Sequence, residues 1–225
     1  MMISKIALGC VVFAALSSAA LAEGVVIGDS LGVGVNFAAR VRSLAKNSVR
    51  IQGGTILEQI RQMKGGATVF MSLGTNDAVG GAVDIKKAVQ NIVAAADAQD
   101  IKLVWIGPPC VIKPWNSYSK QIDASLQTQL RGTSVTFVSM QGSDLCSPSV
   151  HAKDGVHFTM AGYSNMWQKA ASAVGFPVVA AASTEHKVAA KKSKKKKHAR
   201  KKPARKKLSA PKIAAPRPEG IPGAT

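Results

Sequence analysis

The chain has 225 residues, 46% of them apolar, and a formal net charge of +18 at pH 7. That length and apolar share suit one folded domain with some tail and exclude a chain disordered throughout. The charge is unevenly divided, with 14 Lys and Arg against 10 Asp and Glu in 23–182 and 15 against 2 in 183–225, so the basicity gives no ground for reading the domain itself as a nucleic-acid binder.

In chain order, residues 1–22 come first. They carry a single charge, Lys5, then an apolar stretch from Ile6, and end in Ala20-Leu21-Ala22, the small-x-small pattern of a secretory cleavage site. Ile6 to Leu21 is shorter than the ~20 residues a membrane span needs, and Ala7-Leu8-Gly9 before Cys10 lacks the Leu expected three residues before a lipid-modified cysteine. A cleaved signal peptide at 1–22, a periplasmic or secreted product, and no transmembrane span in the mature chain are the expectations.

Short apolar segments with few alternating polar positions follow at Val25 to Ile27, Val49 to Gln52, Thr68 to Leu73, Leu103 to Ile106 and Val135 to Ser139. They read as strands of a parallel sheet buried on both faces. Helical spacing occupies Asn36 to Lys46, Ile56 to Met63, Ile85 to Ala98, Ser117 to Leu130 and Met160 to Ala173, with Asp84 and Thr159 placed to cap the third and last. Five strands alternating with helices imply an α/β three-layer sandwich with a five-stranded parallel sheet, because right-handed crossovers put helices on both faces. The flavodoxin-like strand order 2-1-3-4-5 is the expectation for 23–182.

In open parallel sheets, ligands bind beyond the carboxyl ends of the strands. Four groups fall there: Gly28-Asp29-Ser30-Leu31 after the first strand, Gly53-Gly54-Thr55 after the second, Gly74-Thr75-Asn76-Asp77 after the third, and Asp154-Gly155-Val156-His157 after the fifth. A serine hydroxyl attacks a carbonyl at neutral pH only when a base, itself oriented by a third group, removes its proton. Gly28-Asp29-Ser30-Leu31-Gly32 also satisfies the Gly-x-Ser-x-Gly elbow of α/β-hydrolases, but an elbow serine follows several strands and Ser30 follows one. A dinucleotide loop fails because Phe37 stands where the third glycine belongs, and no Lys-Ser/Thr pair follows a Gly-rich loop. The domain histidines, His151 and His157, lack cysteine neighbours at ligand spacing, so no metal centre is expected.

On these four blocks the chain resembles the SGNH, or GDSL, hydrolase superfamily over about 25–175, leaving the tail uncovered. The resemblance implies a serine ester hydrolase without cofactor, in which Ser30 is the nucleophile, His157 the general base and then acid, and Asp154 the residue that holds the imidazole. It also implies an oxyanion hole of the Ser30 N–H, a glycine N–H and the Asn76 side-chain amide. The chemistry agrees, since the charge developing on oxygen needs donors already aimed at it. Gly53 is preferred to Gly54 because it directly follows the expected strand. Asp29 and Asp77 read as turn residues that bond nearby backbone rather than as catalytic acids. His151 is a weaker rival to His157, and Asp144 to Asp154. Trp115 and Tyr118 either line an acyl or sugar pocket or simply pack.

Loss of the leader would leave two cysteines, Cys110 and Cys146, which either pair with each other or stay as small thiols. The tail at 183–225 has no Phe, Trp or Tyr and holds blocks such as Lys194 to Lys197 and Arg205 to Lys207. It is expected to be disordered, either merely solvated or tethering the protein to an anionic surface or polymer. For an exported protein, phospholipid head groups, lipopolysaccharide and other envelope polymers are preferred to nucleic acid. The short loops suggest no lid, which favours an O-acetylesterase on an envelope glycan. A lipase or thioesterase of the same family is the nearer alternative, and an anionic-polymer-binding protein without enzymatic activity is the alternative from another class.

Overall fold

A computed structural model describes residues 23–81 and 84–178. The leader expected at 1–22 and the basic tail expected at 183–225 lie outside the described residues. Among the described residues, no helix is long and apolar enough to cross a membrane.

The elements run β1 Gly24–Gly28, α1 Ser30–Ala39, β2 Arg42–Ser43, α2 Gly54–Arg61, β3 Thr68–Ser72, α3 Thr75–Ala78, α4 Lys86–Ala98, β4 Lys102–Ile106, α5 Asn116–Gln129, β5 Thr136–Val138 and α6 Met160–Ser172. A short 3-10 turn, Pro148–Val150, precedes α6. All five strands are parallel, in the order β2-β1-β3-β4-β5, as expected from sequence. Successive strand side chains alternate between faces. Val25, Ile27, Val69, Met71, Leu103 and Trp105 pack with Ile56, Ile60, Val89, Ile92, Ile122 and Leu126 of α2, α4 and α5. Val26, Phe70, Val104 and Ile106 pack on the other face with Leu31, Val35, Met166 and Trp167 of α1 and α6. Each such fully buried side chain contributes about 1.5–3 kcal/mol of transfer free energy, which is why the strand sequences are continuously apolar. The buried Trp105 indole donates to the Leu73 carbonyl at 3.2 Å, so the core carries no unpaired N–H there.

Two expectations are corrected. Val49 to Gln52 is not a strand: the second strand is Arg42–Ser43, paired with Val25 and Val26 and continued by bonds from Leu44 N–H to Val26 and from Lys46 N–H to Gly28. Val49 and Ile51 are buried, which explains their apolar pattern, but side chains from α3 take their backbone groups. The Ile51 N–H donates to the Asp77 carboxylate at 3.1 Å and the Val49 carbonyl accepts from the Asn76 amide at 3.1 Å. The helix expected at Asn36 to Lys46 begins instead at Ser30. Gly32 and Gly34 obscured it in the sequence, glycine being a poor helix former. A Cβ on Gly34 would run into the Tyr163 ring, so this glycine lets α6 lie close against α1. Thr159 caps α6 as expected, accepting from the Gly162 N–H. Asp84 accepts from the Lys86 N–H at 3.0 Å, although Ile85 occupies the cap position of α4.

Cys110 and Cys146 are joined by a disulfide with their Cα atoms 5.1 Å apart, so of the two readings the bridge is the one observed. It closes a loop across 36 positions of sequence. In the chain-entropy treatment a loop of that size stabilises by about 3 to 4 kcal/mol. Replacing both cysteines by serine is therefore expected to lower the urea midpoint by that equivalent; a loss below about 1 kcal/mol would show that the unfolded chain gains little freedom.

Candidate active site

The site begins where β1 ends. Gly28 has φ of 108°, and a Cβ there would overlap the Ser72 carbonyl of β3, so only glycine turns the chain this sharply. The Asp29 N–H donates to that carbonyl at 3.0 Å. Gln59 holds the strand end from α2: its side-chain oxygen accepts from the Gly28 N–H at 2.8 Å while its amide donates to the Leu44 carbonyl at 2.8 Å. Sequence reasoning missed Gln59. A polar residue beside Ile60 and three after Ile56, on the apolar face of a helix, was the available signal.

Asp29 is fully buried and caps α1. One carboxylate oxygen accepts from the N–H groups of Leu31 (3.0 Å) and Gly32 (3.4 Å) and from the Ser72 hydroxyl (3.2 Å). The other is buried without a partner. Burial pushes the carboxyl up to about 7, against the opposing bonds from Gly32, Leu31 and Ser72, with Asp77 adding a like charge. The folded protein thus holds a proton that the unfolded chain releases, so this group's contribution is present below about pH 4 and is lost as pH rises through about 7. The loss should amount to about 4 kcal/mol. In Asp29→Asn that part of the pH dependence should vanish from urea unfolding curves; identical slopes in the two proteins would show that Asp29 ionises normally. The capping role also settles Asp29 as a turn residue.

Ser30 opens α1, and its Oγ lies 3.0 Å from His157 Nε2. His157 Nδ1 is 2.7 Å from Asp154 Oδ2, and the other Asp154 oxygen accepts from the N–H groups of Val156 and His157, both at 2.9 Å. Asp154 is slightly buried, which opposes ionisation. The bond from Val156, the His157 ring and N–H, and the ring's charge outweigh that and hold the carboxyl at about 2. A carboxylate at Nδ1 selects the tautomer with its proton there, which leaves the Nε2 lone pair facing the Ser30 hydroxyl. The arrangement can therefore draw a proton from Ser30 while Asp154 stabilises the resulting imidazolium.

The N–H groups at the start of a helix have no acceptor within it, and the helix dipole makes that end positive. Ser30 at the start of α1 and Gly54 at the start of α2 both supply such groups. The Gly53 N–H already donates to the Arg50 carbonyl at 3.1 Å. Asn76, half-buried on α3, uses one amide hydrogen on Val49 and retains a second. Asp77 holds Ile51 and is raised by burial, against the Ile51 N–H and the Arg50 charge, so it supports the loop rather than the chemistry. Asn76→Ala is expected to lower kcat by about 10²- to 10³-fold with little change in KM, as for loss of one oxyanion donor. An equal fall in affinity would instead indicate a ground-state contact.

The weaker candidates lie apart from Ser30's partner. His151 is buried between two backbone carbonyls. Asp144 pairs with Lys169 at 3.0 Å. Trp115 is half-buried against the core at the start of α5, and Tyr118 is partly exposed beside Gly81.

The sequence matches no protein-family model and no curated protein. Solved structures do match. A member of the lipolytic G-D-S-L family from Veillonella parvula DSM 2008 superposes with a TM-score of 0.53 at 14% identity, covering 68% of this chain and 97% of that one. A variant of an acetyl xylan esterase from Geobacillus stearothermophilus gives 0.54 at 14%, covering 69% and 95%. An extracellular lipase from Streptomyces rimosus gives 0.51 at 16%, covering 66% and 99%. With the strand order and the placement of the four sequence blocks, these matches show that the chain has the fold of the SGNH, or G-D-S-L, hydrolases.

Proposed function

We propose that this protein is a serine ester hydrolase working through an acyl-serine intermediate. The observation that carries the reading is the continuous chain Ser30 Oγ, His157 Nε2, His157 Nδ1, Asp154 Oδ2. Ser30 Oγ attacks the ester carbonyl carbon as His157 Nε2 takes its proton. The carbonyl oxygen becomes an oxyanion facing the Ser30 N–H, the Asn76 amide and the Gly53–Gly54 turn, where the already bonded Gly53 N–H makes Gly54 the freer donor. His157 gives the proton to the departing alkoxide, which leaves as the alcohol. Water then attacks the acyl carbon as the same nitrogen takes its proton, and breaking the acyl–Oγ bond returns that proton to Ser30 Oγ and releases the acid.

The substrate we favour is a small acyl group on an accessible polymer, an O-acetylated envelope glycan. Side chains of His157 and Asp154 are 40% and 52% exposed, and Val79 and Ile112 present apolar surface on the loops that follow Asn76 and adjoin Gly155. An open site of this kind suits an acetyl ester on a large molecule better than a long acyl chain, and one structural neighbour is an acetyl xylan esterase. Export rests on the leader pattern and is supported by the Cys110–Cys146 bridge, since disulfides persist in oxidising compartments. The basic residues of 183–225 would tether the enzyme to anionic envelope polymer, with binding that falls steeply as salt rises.

Hydrolysis rates for p-nitrophenyl esters from acetyl to palmitoyl, together with acetate release from acetylated glycans, test the activity and the substrate. Turnover of none of these esters would overturn the hydrolase reading, and preference for long chains would replace the acetylesterase with a lipase. Retention of a variant lacking 183–225 on lipopolysaccharide or anionic vesicles would remove the tether.

A further inference from the structure

His157, which faces Ser30, and Asp154, which holds the His157 ring, sit on one short antiparallel turn. His151 pairs with Phe158 across its stem, the Ala152 N–H donates to the His157 carbonyl at 2.8 Å, and the Thr159 N–H donates to the Val150 carbonyl at 2.8 Å. Asp154 and Lys153 at its tip are exposed, so the tip has no core packing of its own. What holds the turn is its stem and its flank, where the Ile112 N–H donates to the Gly155 carbonyl at 2.7 Å.

The His151 ring is the side chain that ties this stem to both neighbouring segments. It is 7% exposed and stacks on Phe158 with ring centroids 4.4 Å apart. Its Nδ1 lies 2.9 Å from the Ser147 carbonyl and its Nε2 3.0 Å from the Cys110 carbonyl. Those residues adjoin or belong to the disulfide that joins 110 to 146. A carbonyl oxygen only accepts, so the ring nitrogen that carries hydrogen donates to the carbonyl it faces.

We propose that His151 is a positioning residue: its ring, held between the Ser147 and Cys110 carbonyls, clamps the stem of the 151–158 turn and thereby fixes the reach of His157 to Ser30. This rests on the hydrolase reading for its kinetic consequence but not for its geometry. A shift of about 1 Å in a catalytic group can lower a rate by as much as 10²-fold.

The test uses the full chain with its disulfide intact. His151→Phe keeps an aromatic ring against Phe158 and removes both ring nitrogens, whereas His151→Gln keeps one donor group. With p-nitrophenyl acetate, kcat is expected to fall about 10- to 100-fold in the Phe variant and less in the Gln variant, with KM held within about twofold. The His157 Nδ1–H resonance, reporting its bond to Asp154, should move in parallel. An unchanged kcat or an unmoved His157 resonance in a folded His151→Phe protein would reject the positioning role. If the wild type hydrolyses no ester, the functional reading fails, while the His157 resonance still shows whether His151 places that ring.

Discussion

Ser30→Ala is expected to lower kcat for p-nitrophenyl acetate by about 10⁶-fold, equivalent to about 8 kcal/mol of transition-state stabilisation. The reason is specific to this geometry. His157 Nε2 has Ser30 Oγ as its partner at 3.0 Å, and alanine leaves the base facing no nucleophile. Residual turnover would come from oxyanion donors and binding alone, which persist without the hydroxyl. Folding should be little affected, because Ser30 is partly exposed at the first position of α1 and alanine is the better helix former there. Unfolding curves that overlay and a rate that collapses would together locate the chemistry. Variant activity within tenfold of wild type would place it elsewhere.

Asp154→Asn is the second large effect, a fall in kcat on the order of 10³- to 10⁴-fold. The amide fits the same space but can turn its NH₂ toward His157 Nδ1, which selects the tautomer with hydrogen on Nε2 and removes the lone pair that faces Ser30. It also deletes the negative charge that stabilises the imidazolium. Asp154 is half exposed, so water replaces part of that stabilisation, and the lower end of the range is the expected outcome. The pH dependence separates the two causes. Wild-type Asp154, held at about 2, stays ionised throughout the working range and should leave no step in the profile near pH 4. A variant that retains most of the wild-type rate would mean that Val156 and His157 backbone bonds, rather than the carboxylate, are what the turn requires of this position.

The fold was legible because its strands are buried on both faces. That burial demands continuous apolar runs, and Val25 to Ile27, Thr68 to Leu73 and Leu103 to Ile106 show them directly. The same logic misled at Val49 to Gln52. Burial makes a segment apolar whether a neighbouring strand or the side chains of Asn76 and Asp77 satisfy its backbone. Only the second neighbour in space distinguishes the two. The true second strand, Arg42–Ser43, lies at the sheet edge with a polar sequence, and nothing in its residues distinguished it from the helix expected there.

Sequence alone determined the chemistry available to this protein: a serine after the first strand, an aspartate and a histidine three positions apart near the domain's end, and an asparagine after the third strand. Spacing along the chain carries that information because each strand of a parallel sheet delivers its following loop to the same edge. Tertiary structure decided the rest. The 127 positions separating Ser30 from His157 became a 3.0 Å contact only through the sheet order and the 151–158 turn. Gln59 and His151 gained their places because buried backbone groups must be paired, a requirement that names no residue until the surrounding chain is folded.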